Sequence, residues 1–444
     1  MKLKHIVSLL VGCLYYIVSY PTITVEHTKI PFLWGAAVSE YQVSGAATCT
    51  QSNWSKWEQQ MGLEPSADAC QFWDRFEHDI FLMKQLGIQT FRFSVEWCTI
   101  EPREGEYNEA ALDHYARVIK RLIEEGIEPM ITLHHFVHPD WFERKGGFAY
   151  EENIPLFVRY CQHVFEAFAD QVRLWTVINE PTVFALQGYL RGVYPPGIIN
   201  PFTAFTVLRT LMQAHVAVYH ALKSMPSGDH CSIGFIHQPL KFEPYSSWNP
   251  LERIPGWLFN RLTHEAVTDF IKTGVFQAYN LPLLRCYYQA PAGRFYDFIG
   301  LNYYSRALIR AQASITEPLY PTHADGQIMT EMPYAMYPEG LYEMLMELKD
   351  LTTPIYITEN GVADANDTLR KEWIEGYVGA TKQAIRDGAD VRGYYYWSLL
   401  DNYEWDMGYE KKFGLISVDH TTQERTIRPS GLWYAQMISS EDEQ

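Results

Sequence analysis

Short apolar runs alternate with longer amphipathic segments along most of the chain. Each run is apolar at nearly every position, and this pattern is typical of parallel strands that are buried on both faces. The runs therefore predict eight strands, at residues 32–38, 90–95, 129–136, 174–179, 231–237, 298–304, 354–358 and 391–398.

The segments between these runs have the period of an amphipathic helix. In residues 109–125, the apolar side chains of Leu112, Tyr115 and Ile119 fall on one helical face. The same period predicts further helices at residues 71–86, 154–169, 204–225 and 370–386.

Eight buried parallel strands that alternate with helices predict an α/β fold, a single (β/α)8 TIM barrel with its catalytic residues at the C-terminal ends of the strands. A doubly wound open sheet is the alternative. It usually carries a glycine-rich phosphate turn, and the sequence has no G-x-G-x-x-G motif. No low-complexity linker divides the body, so we predict one domain at residues 30–438 and a short acidic tail at 439–444.

The first 25 residues have a different character. Lys2 and Lys4 precede residues 6–25, which carry no charge, and this pattern is typical of a signal peptide or a single membrane anchor. An N-terminal strand or packing segment is the alternative. If the segment is a targeting signal, we expect a secreted or membrane-anchored protein, and otherwise a cytoplasmic one. We expect no stable membrane contact beyond it, because no second apolar run is long enough to span a bilayer.

Composition narrows the classes of partner. The 444-residue chain has 36 Lys and Arg against 53 Asp and Glu, and a formal net charge of −17 repels a nucleic acid. The 13 Trp and 30 Tyr have flat apolar faces that suit sugar rings as well as ordinary cores. Seven cysteines without a CxxC pair argue against structural zinc and a complete disulfide framework, but they are compatible with one or two disulfides.

Two glutamates stand where predicted barrel strands open into loops. Glu180 follows the fourth run in an Asn-Glu-Pro segment, and Glu359 follows the seventh in a Thr-Glu-Asn-Gly segment. A carboxylate at such a point is costly unless it is paired or used in chemistry. A single one is compatible with a salt-bridged strand end. Two that face each other across a barrel mouth match the acid and the nucleophile of glycoside hydrolysis.

Four motifs together resemble glycoside hydrolase family 1, the β-glucosidase family. They are the opening strand FLWGAAVSEYQ at 32–42, the Asn-Glu-Pro and Thr-Glu-Asn-Gly segments, and WSLLDNYEW at 397–405. The resemblance implies a retaining, two-step mechanism with Glu359 as nucleophile and Glu180 as acid/base. It also implies that Arg92 and Tyr304 contact Glu359. The guanidinium and the phenol hydrogen bond would keep the Glu359 carboxyl group ionised.

The resemblance further implies a small carbohydrate, a β-glycoside, as substrate, with no cofactor and no metal. Trp397 would supply a platform beneath the sugar ring, and Asn179 would reach its 2-hydroxyl. The residues assigned to this sugar subsite are Gln42, His135, Asn179, Asn302, Trp397, Glu404 and Trp405.

Glu404 separates two subclasses of the family. Members that act on 6-phosphorylated sugars carry serine there, followed by a lysine and a tyrosine, whereas this chain has Glu404, Lys411 and Phe413. A carboxylate that faces a phosphate is repulsive. The resemblance therefore implies terminal non-phosphorylated β-D-glycosides, with β-glucosides first. Tyr334 stands where a tryptophan often lines the leaving-group site, and this departure bears on the aglycone.

Other functions stay open at this point. A barrel of this kind can bind carbohydrate without catalysis, although such relatives usually lose one of the two glutamates. Transfer of the sugar to an acceptor other than water is another alternative. A metal site built from His134, His135 and His138 is disfavoured, because side chains of adjacent strand residues point to opposite faces.

Overall fold

The computed structural model describes residues 32–281, 284–312 and 319–442. The segment at 1–25, which we expect to be a signal peptide or an anchor, lies outside the described residues. The strands are β1 (Leu33–Ala37), β2 (Thr90–Ser94), β3 (Glu128–His134), β4 (Leu174–Ile178), β5 (Ser232–His237), β6 (Phe242–Pro244), β7 (Val275–Leu281), β8 (Leu284–Gln289), β9 (Phe298–Asn302), β10 (Ala307–Ala311), β11 (Leu319–Thr322), β12 (Ile355–Asn360), β13 (Val391–Trp397), β14 (Ile416–Val418) and β15 (Arg425–Ile427).

Eight of these strands close into a parallel barrel, and each corresponds to one of the predicted runs. The order around the barrel is β1, β13, β12, β9, β5, β4, β3, β2, and every neighbouring pair is parallel. The predicted (β/α)8 fold is therefore confirmed. Arg92 lies in the middle of β2, and Tyr304, the last residue of the predicted run at 298–304, lies just beyond the end of β9.

Helices cover the barrel and build its loops, and all five predicted helices are present. The α-helices are α1 (Glu40–Thr48), α2 (Asn53–Met61), α3 (Phe72–Gln85), α4 (Trp97–Ile100), α5 (Glu109–Glu124), α6 (Asp140–Arg144), α7 (Ile154–Phe168), α8 (Pro181–Leu186), α9 (Pro201–Lys223), α10 (Pro250–Asn260), α11 (Ala266–Thr273), α12 (Pro338–Leu348), α13 (Arg370–Arg386) and α14 (Pro429–Asp442). Short 3₁₀ helices lie at Gly147–Ala149, Glu151–Asn153, Gly228–His230, Lys349–Leu351 and Trp405–Met407, and π-helical turns at Gln187–Arg191 and Arg261–Glu265. Residues 439–442 of the expected acidic tail belong to α14.

The remaining strands form small sheets in the loops. β6, β10 and β11 make a three-stranded sheet in the connections that follow barrel strands β5 and β9. β7 pairs with β8, and β14 pairs with β15. Within the part of the chain that the structure describes, no helix is both long and apolar enough to cross a membrane.

Small residues on some barrel strands pack against large side chains on the neighbouring strands. A Cβ atom added at Gly234 of β5 would lie 2.2 Å from the ring of Phe298 on β9, which is closer than atoms can approach. The glycine therefore makes room for the neighbouring aromatic ring. Because a small residue on one strand faces a large one on the next, the side chains fill the interior of the closed barrel without clashes.

Two links join segments outside the barrel. Cys49 and Cys98 form a disulfide between the end of α1 and α4, with a Cα–Cα distance of 5.7 Å. Arg425 of β15 and Asp79 of α3 form a fully buried ion pair, with Nε–Oδ1 and Nη2–Oδ2 distances of 2.8 and 3.1 Å. Burial raises the pKa of Asp79, and the contact with Arg425 lowers it in part. The other described cysteines, at positions 70, 161, 231 and 286, are buried and unpaired.

The buried ion pair makes a prediction about stability. Arg425→Met should lower the free energy of unfolding by about 3–5 kcal/mol, because it leaves the Asp79 carboxyl buried without its partner. Denaturant unfolding followed by circular dichroism measures the change. Replacing both partners, as Asp79→Leu with Arg425→Met, should recover much of the loss. Arg103→Met, at an exposed ion pair with Glu106, is the control. An equal loss in the single and double variants would contradict this account.

Candidate active site

Glu359, the penultimate residue of β12, is held by two side chains at once. Arg92 Nη1 donates to its Oε1 at 2.5 Å, and the Tyr304 hydroxyl donates to its Oε2 at 2.8 Å. Burial raises the pKa of the Glu359 carboxyl, while the charge of Arg92 and the hydrogen bonds lower it in part. The structure thus places Arg92 and Tyr304 at Glu359, as the resemblance implies.

Glu180 lies just beyond the end of β4, at the turn into α8. Its backbone is in the left-handed region, with φ 42° and ψ 66°, and Pro181 follows as the first residue of the helix. Proline suits that position because its fixed φ matches a helix and its missing N–H is not needed there. The pKa of Glu180 is raised well above its ordinary value, first by burial and then by the negative charge of Glu359. Of the two carboxyl groups, Glu180 therefore has the more strongly raised pKa.

Asn302, the last residue of β9, links Glu180 to the strand that carries Glu359. Its Nδ2 donates to Glu180 Oε1 at 2.8 Å and to Asn179 Oδ1 at 3.1 Å. Thr358 Oγ1 donates to Asn302 Oδ1 at 2.6 Å, which fixes the orientation of the amide. The amide therefore connects Glu180 to Thr358, the residue before Glu359, at the C-terminal end of the barrel. Asn302 is fully buried, and its role in sugar binding stays a prediction.

Arg92 is fully buried and bonds several strand ends. Besides Glu359, its guanidinium donates to Asn179 Oδ1 at 2.7 Å and to Thr132 Oγ1 at 3.1 Å. The Thr176 hydroxyl in turn donates to Thr132 Oγ1 at 2.9 Å. Sequence reasoning missed Thr132, although a hydroxyl residue in an otherwise apolar strand was a weak signal for it.

His135 and Asn179 form a pair next to Arg92. Because Asn179 Oδ1 accepts from Arg92, its Nδ2 is the group that faces His135 Nε2, at 3.0 Å. The imidazole therefore accepts on Nε2 and carries its proton on Nδ1, which is buried and has no partner among the described residues. Burial, with the charge of Arg92, lowers the pKa of His135 well below its ordinary value, so the ring stays neutral.

Gln42 and Glu404 lie together at the same site. Gln42 Nε2 donates to Glu404 Oε2 at 3.2 Å and to the Tyr403 carbonyl at 2.9 Å, while Gln42 Oε1 is buried without a partner in the described chain. Burial raises the pKa of Glu404 to about 8, and the negative charges of Glu359 and Asp406 add to the rise. Glu404 is therefore largely protonated at pH 7.

Two tryptophans pack against His135. The ring centroids of Trp397 and Trp405 lie 5.8 and 6.2 Å from the imidazole, within 26° of parallel. Gly361, in the Thr-Glu-Asn-Gly segment, lets the Trp397 backbone approach the end of β12. A Cβ atom at this position would lie 1.6 Å from the Trp397 carbonyl oxygen. Only glycine allows this approach between the ends of β12 and β13.

Two tyrosines lie near the carboxyl groups of the site. The charges of Glu180 and Glu404 both act on Tyr194 and Tyr334, and the Tyr334 ring lies 5.9 Å from that of Tyr304. Tyr334 was a predicted leaving-group residue. Tyr194 was missed, because it stands in a loop without a recognisable motif.

The three neighbouring histidines separate into two groups. His135 contacts Asn179, whereas His134 Nε2 lies 3.2 Å from His138 Nδ1. Over residues 32–281, 284–312 and 319–442, no three His, Cys, Asp or Glu side chains are arranged to hold a metal ion.

The chain matches known proteins over almost its whole length. Residues 26–443 match glycosyl hydrolase family 1. β-Glucosidase A of Thermotoga maritima is 32% identical over 441 aligned positions, which cover 92% of this chain and 97% of that protein. A 6-phospho-β-galactosidase of Staphylococcus haemolyticus is 28% identical, covering 93% of this chain and 99% of that protein. The structure of a β-glycosidase from Pyrococcus horikoshii superposes with a TM-score of 0.82 at 35% identity, over 91% of this chain and 93% of that one.

These matches agree with the barrel and with the pair of buried carboxyl groups at its C-terminal end. The chain therefore belongs to glycosyl hydrolase family 1 and is a retaining β-glycosidase that acts on O-glycosyl bonds.

Proposed function

We propose that this enzyme hydrolyses terminal, non-phosphorylated β-D-glycosides, and β-glucosides in particular. In this proposal Glu359 is the nucleophile and Glu180 is the acid/base. The main support is that Arg92 and Tyr304 hold Glu359, whereas Glu180 is bonded by the neutral amide of Asn302 and senses the charge of Glu359. A relative with 32% identity is a β-glucosidase.

In the first step the Glu359 carboxylate attacks the anomeric carbon and forms a glycosyl ester. The glycosidic C–O bond breaks, and the proton of Glu180 passes to the departing oxygen. When the ester forms, the negative charge of Glu359 disappears. Because that charge raises the pKa of Glu180, its loss favours an ionised Glu180.

In the second step the ionised Glu180 takes a proton from water, and the water oxygen attacks the anomeric carbon. The ester bond breaks, Glu359 returns as a carboxylate and Glu180 returns as an acid. Two displacements at the same carbon retain its configuration. The change in the Glu180 pKa between the two steps suits its change from acid to base.

We assign the sugar subsite to buried polar atoms that have no hydrogen-bond partner among the described residues. His135 Nδ1 is a buried donor without a protein partner, and Gln42 Oε1 is a buried acceptor without one in the described chain. Sugar hydroxyl groups both donate and accept, so they pair with both atoms. Leaving such atoms unpaired is costly, which favours ligands that carry the matching hydroxyls. Trp397, beside His135, supplies the apolar face for the ring.

The surroundings of Glu404 support a non-phosphorylated sugar. The charged groups that act on this carboxyl, Glu359 and Asp406, are both negative. A phosphate dianion placed there would meet like charges in a buried site. The chain is also similar to a 6-phospho-β-galactosidase, and these negative charges favour a neutral sugar over a phosphorylated one.

Hydrolysis is favoured over the non-catalytic alternative, because both carboxyl groups are present and only one of them is paired with a cation. Transfer to an alcohol acceptor uses the same glycosyl ester. Product analysis with and without added alcohol separates hydrolysis from transfer.

Glu359→Ala should lower the kcat of aryl β-glucoside hydrolysis by at least about 10⁴-fold, because the ester no longer forms. Azide should restore turnover of an activated substrate and yield the α-glucosyl azide, since a single displacement inverts the carbon. NMR of the product gives its configuration. Glu375→Ala, on an exposed ion pair of α13, is the matched control. Normal activity in Glu359→Ala, or a β-azide product, would exclude Glu359 as nucleophile.

Glu180→Ala should lower kcat/KM by about 10²–10⁴-fold for an alkyl β-glucoside, which needs protonation of its leaving group. The loss should be much smaller for a dinitrophenyl β-glucoside. In the wild type, kcat/KM should fall as pH rises through the raised pKa of Glu180, because only the protonated form is the acid. This alkaline limb should disappear in the variant. Equal losses for both substrates, or an unchanged alkaline limb, would argue against Glu180 as the acid.

The enzyme should cleave nitrophenyl β-glucoside with a kcat/KM at least about 100-fold higher than its 6-phosphate, because closely placed like charges cost several kcal/mol. The ratio should increase as pH rises through about 8, where Glu404 ionises. Glu404→Gln should abolish this increase, since the amide does not titrate. A preference for the phosphorylated substrate would refute the proposed substrate class while leaving both catalytic roles intact.

A further inference from the structure

The segment that connects β3 to α6, residues 135–139, contains one residue in an unfavourable conformation. Phe136 has φ 69°, in the left-handed region that a bulky side chain rarely adopts. Such a conformation persists only where surrounding contacts impose it. Because His135 is the preceding residue, the contacts that impose it also set the direction of the His135 side chain.

Asn53, the first residue of α2, bonds this segment at three points. Its backbone N–H donates to the His138 carbonyl at 3.0 Å, and its Nδ2 donates to the Phe136 carbonyl at 3.1 Å. Its Oδ1 accepts from the His138 backbone N–H at 3.0 Å. The side chain is buried, so water does not compete for these bonds. Asn53 therefore holds the peptide bond that directly follows the strained residue.

His138 holds the far end of the segment through its imidazole, which is fully buried. Its Nε2 lies 2.7 Å from Glu143 Oε2 of α6, and its Nδ1 lies 3.2 Å from Nε2 of His134, the last residue of β3. The Glu143 carboxylate accepts from His138 Nε2, and the facing ring nitrogens of His138 and His134 pair with each other. This chain of three side chains ties α6 to the end of the strand.

We propose that Asn53 and His138 are positioning residues for the glycosidase reaction. They hold residues 135–139 so that His135 Nε2 stays on Asn179 and His135 Nδ1 stays available to the sugar. The proposal rests on the proposed function, in which His135 binds the sugar. The polar contacts of Asn53 and His138 are with the segment itself, His134 and Glu143, so their effect on the reaction passes through residues 135–139, of which His135 is the residue that bonds Asn179.

The test is a double-mutant cycle on kcat/KM for a nitrophenyl β-glucoside. Asn53→Ala should lower kcat/KM about 10–100-fold, because a binding group displaced by about 1 Å loses most of its effect, and the rise in KM should exceed the fall in kcat. In a His135→Ala background the same change should cost about twofold or less, since the group it positions is already absent. A structural role alone would give the same factor in both backgrounds.

A matched control comes from a second asparagine that holds backbone in the same way. Asn260 accepts from the Phe242 N–H at 2.7 Å and donates to the Phe242 carbonyl at 2.6 Å, in the connection after β5. Asn260→Ala should leave kcat/KM within about twofold in either background, because additive effects are expected for independent sites.

Variants of Glu143 keep the test decisive if Asn53→Ala does not fold. Glu143 is partly exposed, so it tolerates substitution better. Glu143→Leu removes the acceptor for His138 and should lower kcat/KM at least about fivefold in the wild-type background but not in His135→Ala. Glu143→Gln retains an acceptor oxygen and should rescue most of the loss. Melting temperatures confirm that each compared variant is folded under the assay conditions.

The outcomes separate the two proposals. If His135→Ala leaves kcat/KM unchanged, His135 does not bind the sugar and the assigned subsite is wrong. If His135→Ala lowers kcat/KM but Asn53→Ala and Glu143→Leu lower it by equal factors in both backgrounds, the subsite stands and the positioning role is overturned.

Discussion

A fully buried guanidinium, that of Arg92, is the group on which the active site depends. A charge removed from water must be surrounded by acceptors, or its burial costs several kcal/mol. Here the acceptors are Glu359 at the end of β12, Asn179 just after β4 and Thr132 on β3. One side chain of β2 therefore fixes the relative positions of groups from three other strands. The closed barrel makes this geometry available, because the C-terminal ends of all its strands surround one small space.

The position of that cation also explains how two similar carboxyl groups acquire different properties. Glu180 and Glu359 are both buried, and burial raises the pKa of both. Among the described residues, Arg92 forms an ion pair with Glu359 and not with Glu180, and the charge of Glu359 raises the pKa of Glu180 more than Arg92 lowers it. A cation against one of two similar carboxyl groups makes their pKa values unequal, and this inequality is what a two-step displacement requires.

Two groups of the proposed sugar subsite are held differently, in loops that follow the strands. Glu404 lies beyond β13 and His135 beyond β3, where backbone ladders no longer hold the chain. Each is instead fixed by side chains from distant segments, Gln42 for Glu404 and Asn53 for the segment that carries His135. Glu359 is thus held by side chains on and next to the barrel strands, whereas Glu404 and His135 depend on contacts between loops. This division suits a fold in which loops vary while the strands stay constant.

The sequence by itself determined the barrel, its eight strands and the pair of glutamates, because hydrophobic period and short motifs are local properties of a chain. It also placed Arg92 and Tyr304 near Glu359 through the resemblance to a family. Only the tertiary structure showed that Asn302 bonds Glu180, that Thr132 supports Arg92, and that Asn53 bonds a segment more than 80 residues away. Which atoms become hydrogen-bond partners, and how far burial shifts a pKa, depend on how the barrel closes, and closure brings together residues whose spacing along the chain carries no periodic signal.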